Sequence, residues 1–459
     1  MPILSLADVC CAVTGRPKET LTDWVYVSEI TQISSEVAPG ALFVALKGAR
    51  HDGHSFLEEA KQRGATAAIV ERYMDVDIPQ MLVPSSRVAL GDLARLYRSR
   101  LNIPIVAITG SVGKTTTKEM VSHTLSKRLR VHRSRGNFNN ELGVPIEMLR
   151  ILPENNVSVL ELAMRGSGQI EYLSRMSRPV IGVITNIGIS HIEQLQSIDN
   201  IAKAKAELLI GMDACSLLVI NADDKYFGYL RDRAPGRVVS FGEAEHSDYR
   251  ITQLQLGKNG RPSFKLNGVP FTLERCVGKY NAINAAAVFA VATELGLRPE
   301  EIATQLSSFE TPARRGKFSN SLSGATILDN TYNSAPDSVG ASLSTLADLR
   351  SKNMRTVAVI GDMLELGHHS IEAHQRIGEM ASEANLSLLV TVGQYSEYTG
   401  KSSGMAAWKH FPDAASAAEF LLKEVHKDDV VMVQGSRFMQ LDTIVDALER
   451  GRLVDLPIE

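Results

Sequence analysis

The sequence predicts an α/β protein of three domains. These are a small α/β N-terminal domain, a central P-loop domain with a mostly parallel sheet, and a C-terminal Rossmann-like domain. Three observations predict this. Short apolar, β-branched runs alternate with helical patterns along most of the 459 residues, the mark of parallel strands joined by crossovers. One of those runs, Ile103 to Ile108, empties into a glycine-rich turn that opens a helix. A second set of strand-to-loop units begins after residue 313 and implies a second parallel sheet.

In chain order, the first domain covers residues 1–101. Its strands are expected at Ala41–Leu46, Ala67–Val70 and Gln80–Val83, with helices at Phe56–Arg63 and Ser86–Arg100. His51, Asp52, Gly53 and His54 form a dense polar cluster there and read as a solvated loop. The second domain, 102–312, starts with the Ile103 strand. Further strands follow at Val157–Ala163, Val180–Asn186 and Leu217–Ile220, with a helix at Ile198–Met212. Residues 236–275 read as antiparallel strands with turns at Gly257–Gly260 and Asn267-Gly268, and an alanine-rich helix runs from Gly278 towards Leu295. The third domain, 313–459, repeats the strand-to-loop unit at Ala325, Thr356, Ser387 and Asp429.

Composition narrows the function. Lys+Arg 49 against Asp+Glu 52 leaves a net charge of -3, so no broad basic field invites nucleic acid or a membrane surface. No apolar run reaches the length of a membrane span, and the N-terminus lacks a basic leader. A cytoplasmic protein without membrane insertion is expected. Cys10, Cys11, Cys215 and Cys276 lack metal-site spacing and read as four buried thiols in a reducing compartment.

The chemistry gathers at Thr109-Gly-Ser-Val-Gly-Lys-Thr-Thr116. Gly110, Ser111, Val112 and Gly113 would bring backbone N–H groups against phosphate oxygens, joined by Thr116. Lys114 would reach the β/γ-phosphates, and the Thr115 hydroxyl would face Mg²⁺. The longer G-x-x-x-x-G-K-[ST] pattern is not met, because Ile108 occupies its first glycine position. Glu161 ends a strand, where a Mg²⁺ ligand is expected. Asn137, Asn139 and Asn140 lie in a loop suited to a polar substrate, although a plain turn would also use them. His191 follows another strand of the same sheet. Lys203 and Lys205, two residues apart, must point to different faces of their helix. Asp329, Asp362 and Gly435-Ser-Arg437 sit at strand ends of the second sheet.

These motifs together resemble the Mur ligase family. They are the phosphate loop, Asn137-Phe-Asn-Asn-Glu-Leu-Gly-Val-Pro, Glu161-Leu-Ala-Met-Arg-Gly-Ser-Gly-Gln-Ile, Asn186-Ile-Gly-Ile-Ser-His-Ile-Glu, Ala202-Lys-Ala-Lys-Ala-Glu, Asp329-Asn-Thr-Tyr-Asn-Ser-Ala-Pro-Asp-Ser and Gly361-Asp-Met-Leu-Glu-Leu-Gly. They come in the family's order and cover almost the whole chain. Several are particular to the branch that joins D-alanyl-D-alanine to a UDP-muramoyl tripeptide. The resemblance implies a UDP-sugar-binding N-terminal domain, a central ATPase and a C-terminal ligase domain. It implies ATP, two Mg²⁺ ions, small-molecule substrates and a monomer. Residue by residue, it implies Thr115, Glu161, His191 and a carbamylated Lys205 as metal ligands. Lys114, Lys205, His191 and Arg315 would act in catalysis. Asn281, Asp329 and Asn333 would meet the nucleotide, and Asn137, Asn139, Asn140 and Asp362 the other substrates.

The chain departs from the family at three places. The Asp-Ser-Arg signature before Val-x-Pro-Gly stands here as Ile33-Ser-Ser35 before Glu36-Val-Ala-Pro-Gly, which removes a charged pair that the family sets against UDP. Tyr280 replaces a histidine beside Asn281, and Gln434 replaces a lysine before Gly435-Ser-Arg437. A paralogue with the same chemistry on another carboxylate is therefore the second expectation. A catalytically idle nucleotide-binding scaffold is a third, opposed by the intact Lys114, Thr115, Glu161, His191 and Lys205.

Overall fold

A computed structural model describes residues 4–15, 25–48, 51–257, 259–350 and 354–453. Of the segments read above, residues 1–3, Ala49, Arg50 and Lys258 lie outside these.

Three sheets organise the chain. The first is parallel, with strands β1 (Ile30–Thr31), β2 (Leu42–Val44), β3 (Ala67–Val70) and β4 (Gln80–Leu82) in sequential order. The second has nine strands. They are β5 (Ile105–Thr109), β6 (Val131–Arg133), β7 (Val157–Glu161), β8 (Ile181–Ile184), β9 (Leu217–Asn221), β10 (Arg237–Gly242), β11 (Tyr249–Leu256), β12 (Pro262–Leu266) and β13 (Val269–Thr272). Their spatial order is β13-β12-β11-β10-β9-β8-β5-β7-β6. The third comprises β14 (Lys317–Asn320), β15 (Thr326–Asn330), β16 (Thr356–Gly361), β17 (Leu388–Val392), β18 (Trp408–Phe411) and β19 (Val430–Gln434), ordered β14-β15-β19-β16-β17-β18. It is parallel except for the edge strand β14.

Alternation along the strands explains how the sheets stack. Val106 and Ile108 of β5 pack beside the helix Lys279–Glu294, whereas Ile105 and Ala107 face the other way. Successive strand residues point to opposite faces. The Ile105 side belongs to one apolar cluster that also takes Leu42 and Leu93 from the N-terminal unit and Ile360 and Met432 from the C-terminal one. The opposite face of each sheet has its own core: Phe43 and Val70, Val159 and Val183, and Val359 and Val433.

Several expectations need correction. β10 pairs in parallel with β9 and only the β11–β13 ladder is antiparallel, because the helix Phe227–Arg231 carries the chain back across the sheet before β10. The helix from Ile198 ends at Ala206 and tightens into a 3₁₀ turn over Glu207–Gly211. There the Glu207 carboxylate turns out to accept from Ser167 Oγ and the Gly168 and Glu171 amides. The polar cluster at 51–54 is no solvated loop. His54 is buried, its Nδ1 lies 2.7 Å from Asp52, and its Nε2 accepts the Glu71 amide at 2.8 Å. Only Cys10 and Cys276 are buried thiols; Cys11, beside Cys10 on a helix, and Cys215 in a turn are exposed.

Candidate active site

Strands β8, β5 and β7 are neighbours. Their carboxyl ends bring Gly110–Thr115, Glu161 and Thr185–His191 to one edge, the position at which open parallel sheets bind ligands. The loop after β5 is tightly braced. A Cβ on Gly110 (φ +149) would sit 1.9 Å from Thr185 Oγ1, so no larger residue fits. Ser111 Oγ donates to the Gly188 carbonyl and accepts its amide. The Val112 amide donates to Asn186 Oδ1, and Thr185 Oγ1 to the Val112 carbonyl. Lys114 opens the helix Lys114–Leu125, and its Nζ donates to the Gly110 and Ser111 carbonyls at 2.7 and 3.0 Å. Burial lowers its pKa; the Glu161 charge opposes that shift and the Arg315 charge adds to it. Thr116 is buried behind it.

On the other side of the loop, Thr115 Oγ1 donates to Glu161 Oε2 at 2.7 Å and Asn139 Nδ2 to Glu161 Oε1 at 2.8 Å. Asn139 thus belongs to this carboxylate. Asn140 caps the helix Gly143–Leu149 by accepting the Leu142 and Gly143 amides, and Asn137 is exposed. One buried carboxylate beside a hydroxyl suits Mg²⁺, which takes few protein oxygens and leaves positions for phosphate and water. Among the described residues no three His, Cys, Asp or Glu side chains are grouped to hold a metal ion. His191 adopts φ +56, uncommon for a residue with a side chain, and its Nδ1 lies 2.8 Å from Glu365 Oε2. The two atoms are in close contact, though not in line as a hydrogen bond.

Lys203 is exposed and Lys205 buried, as their spacing requires. Among the described residues Lys205 has no hydrogen bond or ion pair. Burial holds its pKa well below the ordinary lysine value, and the charge of Lys114 pushes the same way. Lys114 thus feels the Arg315 charge, and Lys205 feels that of Lys114. The Arg315 guanidinium stacks 3.7 Å from the Tyr332 ring centroid.

The remaining candidates divide. Asp329, its carboxyl raised by burial, accepts from the Thr331 amide and hydroxyl, and Asn333 is exposed. Asn281 is buried, donating to the Val277 carbonyl. Asn284, one turn on, faces the phosphate loop: a Cβ on Gly113 would meet its Oδ1 at 2.7 Å. Burial raises the Tyr280 phenol, whose hydroxyl has no partner among the described residues. Asp362 spends both oxygens on the Gln394 and Ser396 amides at 2.9 and 2.7 Å. Ile33 and Ser35 are exposed.

Sequence models of Mur ligases match nearly end to end: the Mur ligase family catalytic domain over residues 27–109, the Mur ligase middle domain over 108–292, and the Mur ligase glutamate ligase domain over 314–437. The chain belongs to the Mur ligase family. Among Mur ligases, it is 32% identical to the UDP-N-acetylmuramoyl-tripeptide–D-alanyl-D-alanine ligase of Escherichia coli, over 93% of this chain and 95% of the relative. MurF of Acinetobacter baumannii superposes with a TM-score of 0.87 at 29% identity, covering 98% of this chain and all (100%) of the other. MurF of Thermotoga maritima, solved with ADP, gives 0.83 at 28% identity, covering 93% and 98%.

Reading the sequence of this Mur ligase passed over Asn186, Asn284, Asp224, Asp337 and Glu365. Asp224 Oδ2 accepts the Ile187 amide at 2.6 Å and Asp337 Oδ2 the Ile189 amide at 2.9 Å, so the segment before His191 is held by carboxylates far away in sequence. Asn186, Asp337 and Glu365 stand inside quoted motifs, which was the one signal available for them.

Proposed function

We propose that this Mur ligase joins D-alanyl-D-alanine to UDP-N-acetylmuramoyl tripeptide at the expense of ATP. The observation that carries the reading is the phosphate-loop Lys114 beside the Thr115–Glu161 pair at the ends of β5 and β7, with the Arg315 charge near enough to act on Lys114. Two cations beside one carboxylate and its hydroxyl suit a reaction in which phosphate charge must be gathered and moved. The names of the relatives at 32% identity supply the substrates.

The tripeptide carboxylate attacks the γ-phosphorus of ATP, giving an acyl phosphate and ADP. The dipeptide amine then attacks the acyl carbon, loses a proton, and phosphate leaves. Lys114 leaves its loop carbonyls for the phosphate oxygens, and Arg315 approaches the same charge from the C-terminal unit. Thr115, Glu161 and His191 would hold Mg²⁺, which supplies further charge neutralisation at the phosphates. Lys205, whose pKa burial holds well below the ordinary lysine value, is suited to add CO₂ at Nζ and release a proton; the resulting carbamate turns an unpaired amine into an oxygen ligand. Asn281, Asn284, Asp329 and Asn333 frame the nucleotide, and the exposed Asn137 stays on the proposed substrate side; Asn139, Asn140 and Asp362, already engaged by Glu161, a helix start and two backbone amides, support that side without direct contact. We assign UDP-sugar binding to residues 1–101, ATP binding to 102–312 and the ligase domain to 313–459, in a cytoplasmic monomer. No described helix is long and apolar enough to cross a membrane.

Phosphate release with ATP and Mg²⁺, adding the UDP-muramoyl tripeptide and D-alanyl-D-alanine singly and together, tests this. Release that needs both, with a product heavier by one dipeptide, is the expected result. ATP binding with no stimulation would favour a paralogue using another carboxylate, for which the exposed, uncharged Ile33 and Ser35 are the motive.

A further inference from the structure

The motif Gly361-Asp-Met-Leu-Glu-Leu-Gly367 is built as a rigid arm. Asp362 is fixed by the Gln394 and Ser396 amides, the Met363 amide donates to His374 Nε2 at 3.0 Å, and the Leu364 amide to Ser436 Oγ at 2.9 Å. Three successive residues are thus anchored within the C-terminal unit. The next residue, Glu365, adopts φ +63 and reaches across to the central sheet. Its Oε2 lies 2.8 Å from His191 Nδ1, in the loop after β8, and its Oε1 lies 3.9 Å from Arg165 Nε, in the loop after β7. Glu365 and His191 are both residues with side chains at positive φ, and such conformations persist where surroundings impose them and collect at functional sites. A second carboxylate from the same unit, Asp337, takes the Ile189 amide, and a Cβ on Gly188 would fall 1.8 Å from its Oδ2.

We propose that Glu365 is a positioning residue for His191: the C-terminal unit, through this arm, orients the imidazole and ties together the loops that follow β7 and β8. With a carboxylate against Nδ1, the ring proton is favoured there and the Nε2 lone pair is left for a ligand. His191 is completed by contact between units, not by the central sheet alone. The inference rests on the metal-side role given to His191 above.

The test compares Glu365→Ala, Glu365→Gln and His191→Ala by two readouts. One is the long-range ¹H–¹⁵N spectrum of the His191 ring in the metal-free protein. The other is the Mg²⁺ concentration giving half-maximal phosphate release. Wild type is expected to show the Nδ1–H tautomer. Glu365→Ala should lose that preference and raise the Mg²⁺ requirement by ~10-fold, the scale seen when the outer partner of a ligating histidine is removed. Glu365→Gln, whose amide oxygen can still face Nδ1–H, should restore much of both. An unchanged tautomer and Mg²⁺ requirement in Glu365→Ala, with His191→Ala still raising the requirement, would overturn the inference alone. An unchanged requirement in His191→Ala would overturn the role of His191 and the inference with it.

Discussion

The central and C-terminal sheets look alike in outline, yet they use their strand-end carboxylates differently. Glu161, after β7, accepts from the side chains of Thr115 and Asn139. Asp362, after β16, accepts from two backbone amides of its own unit. Side-chain donors can rotate to admit an ion or a phosphate, whereas backbone donors stay. The buried lysines of the central sheet repeat the contrast. Lys118 Nζ donates to the Ser134 carbonyl at 2.7 Å and pairs with Glu119 at 2.9 Å. Lys205 is equally buried and has no such partner among the described residues. A strand-end charge is thus better judged by what its atoms hold than by where its strand ends.

The largest effects should come from the groups with exchangeable or missing partners. Lys205→Ala and Glu161→Gln are each expected to lower phosphate release on the order of a hundredfold or more. Lys205→Ala should lower the denaturation midpoint less than Lys118→Ala does, because it removes a buried stem but no hydrogen bond or ion pair. A variant with wild-type turnover would break the comparison. Next, Lys118→Ala should cost about 2–3 kcal/mol in urea unfolding, since it strands the Ser134 carbonyl and leaves Glu119 with Arg133 alone. Smaller still, Asp362→Asn should cost about 1–2 kcal/mol by leaving one amide poorly paired, with turnover at saturating substrate within a few-fold of wild type. A hundredfold loss there would return Asp362 to direct substrate contact.

The smallest expected effect at neutral pH lies at the sheet edge. Burial, helped by the Arg135 charge, pushes the His132 imidazole on β6 down to about 4 from 6.5. The unfolded chain therefore takes up a proton before the folded one does. The stability this neutral ring allows is complete above pH 6.5 and is lost as pH falls towards 4. Replacing His132 by Gln should barely change stability at pH 7 and should flatten the acid part of the stability–pH curve by about 3 kcal/mol.

Much of this arrangement was legible from residues that speak locally. Ser86–Arg100 reads as a helix and folds as one over the same span, because period, N-cap and flanks agree. Gly110 to Thr115 announces its turn through composition. The legible part stops where a residue's role depends on a distant partner. Lys205 differs from Lys203 in sequence by nothing but phase, and its missing acceptor exists only in the fold. Asp337 and Glu365 lie more than a hundred residues from the loop they hold, and although both stand inside motifs given above, no local pattern says what they hold. β10 was misassigned for the same reason: strand direction follows from the crossover, which periodicity does not record.

The alanine-rich helix Lys279–Glu294 carries one more consequence. Ala285, Ala286, Ala287, Ala290 and Ala292 are all fully buried, and the helix packs on Lys114–Leu125 and on the central sheet. Its methyl groups act as a spacer that sets how far Asn284 stands from Gly113. Widening any of them would be measured out at the nucleotide, although none can touch it. Selection on ATP binding would then reach into a stretch of plain hydrocarbon, and drift in that stretch would be bounded by size long before it was bounded by polarity.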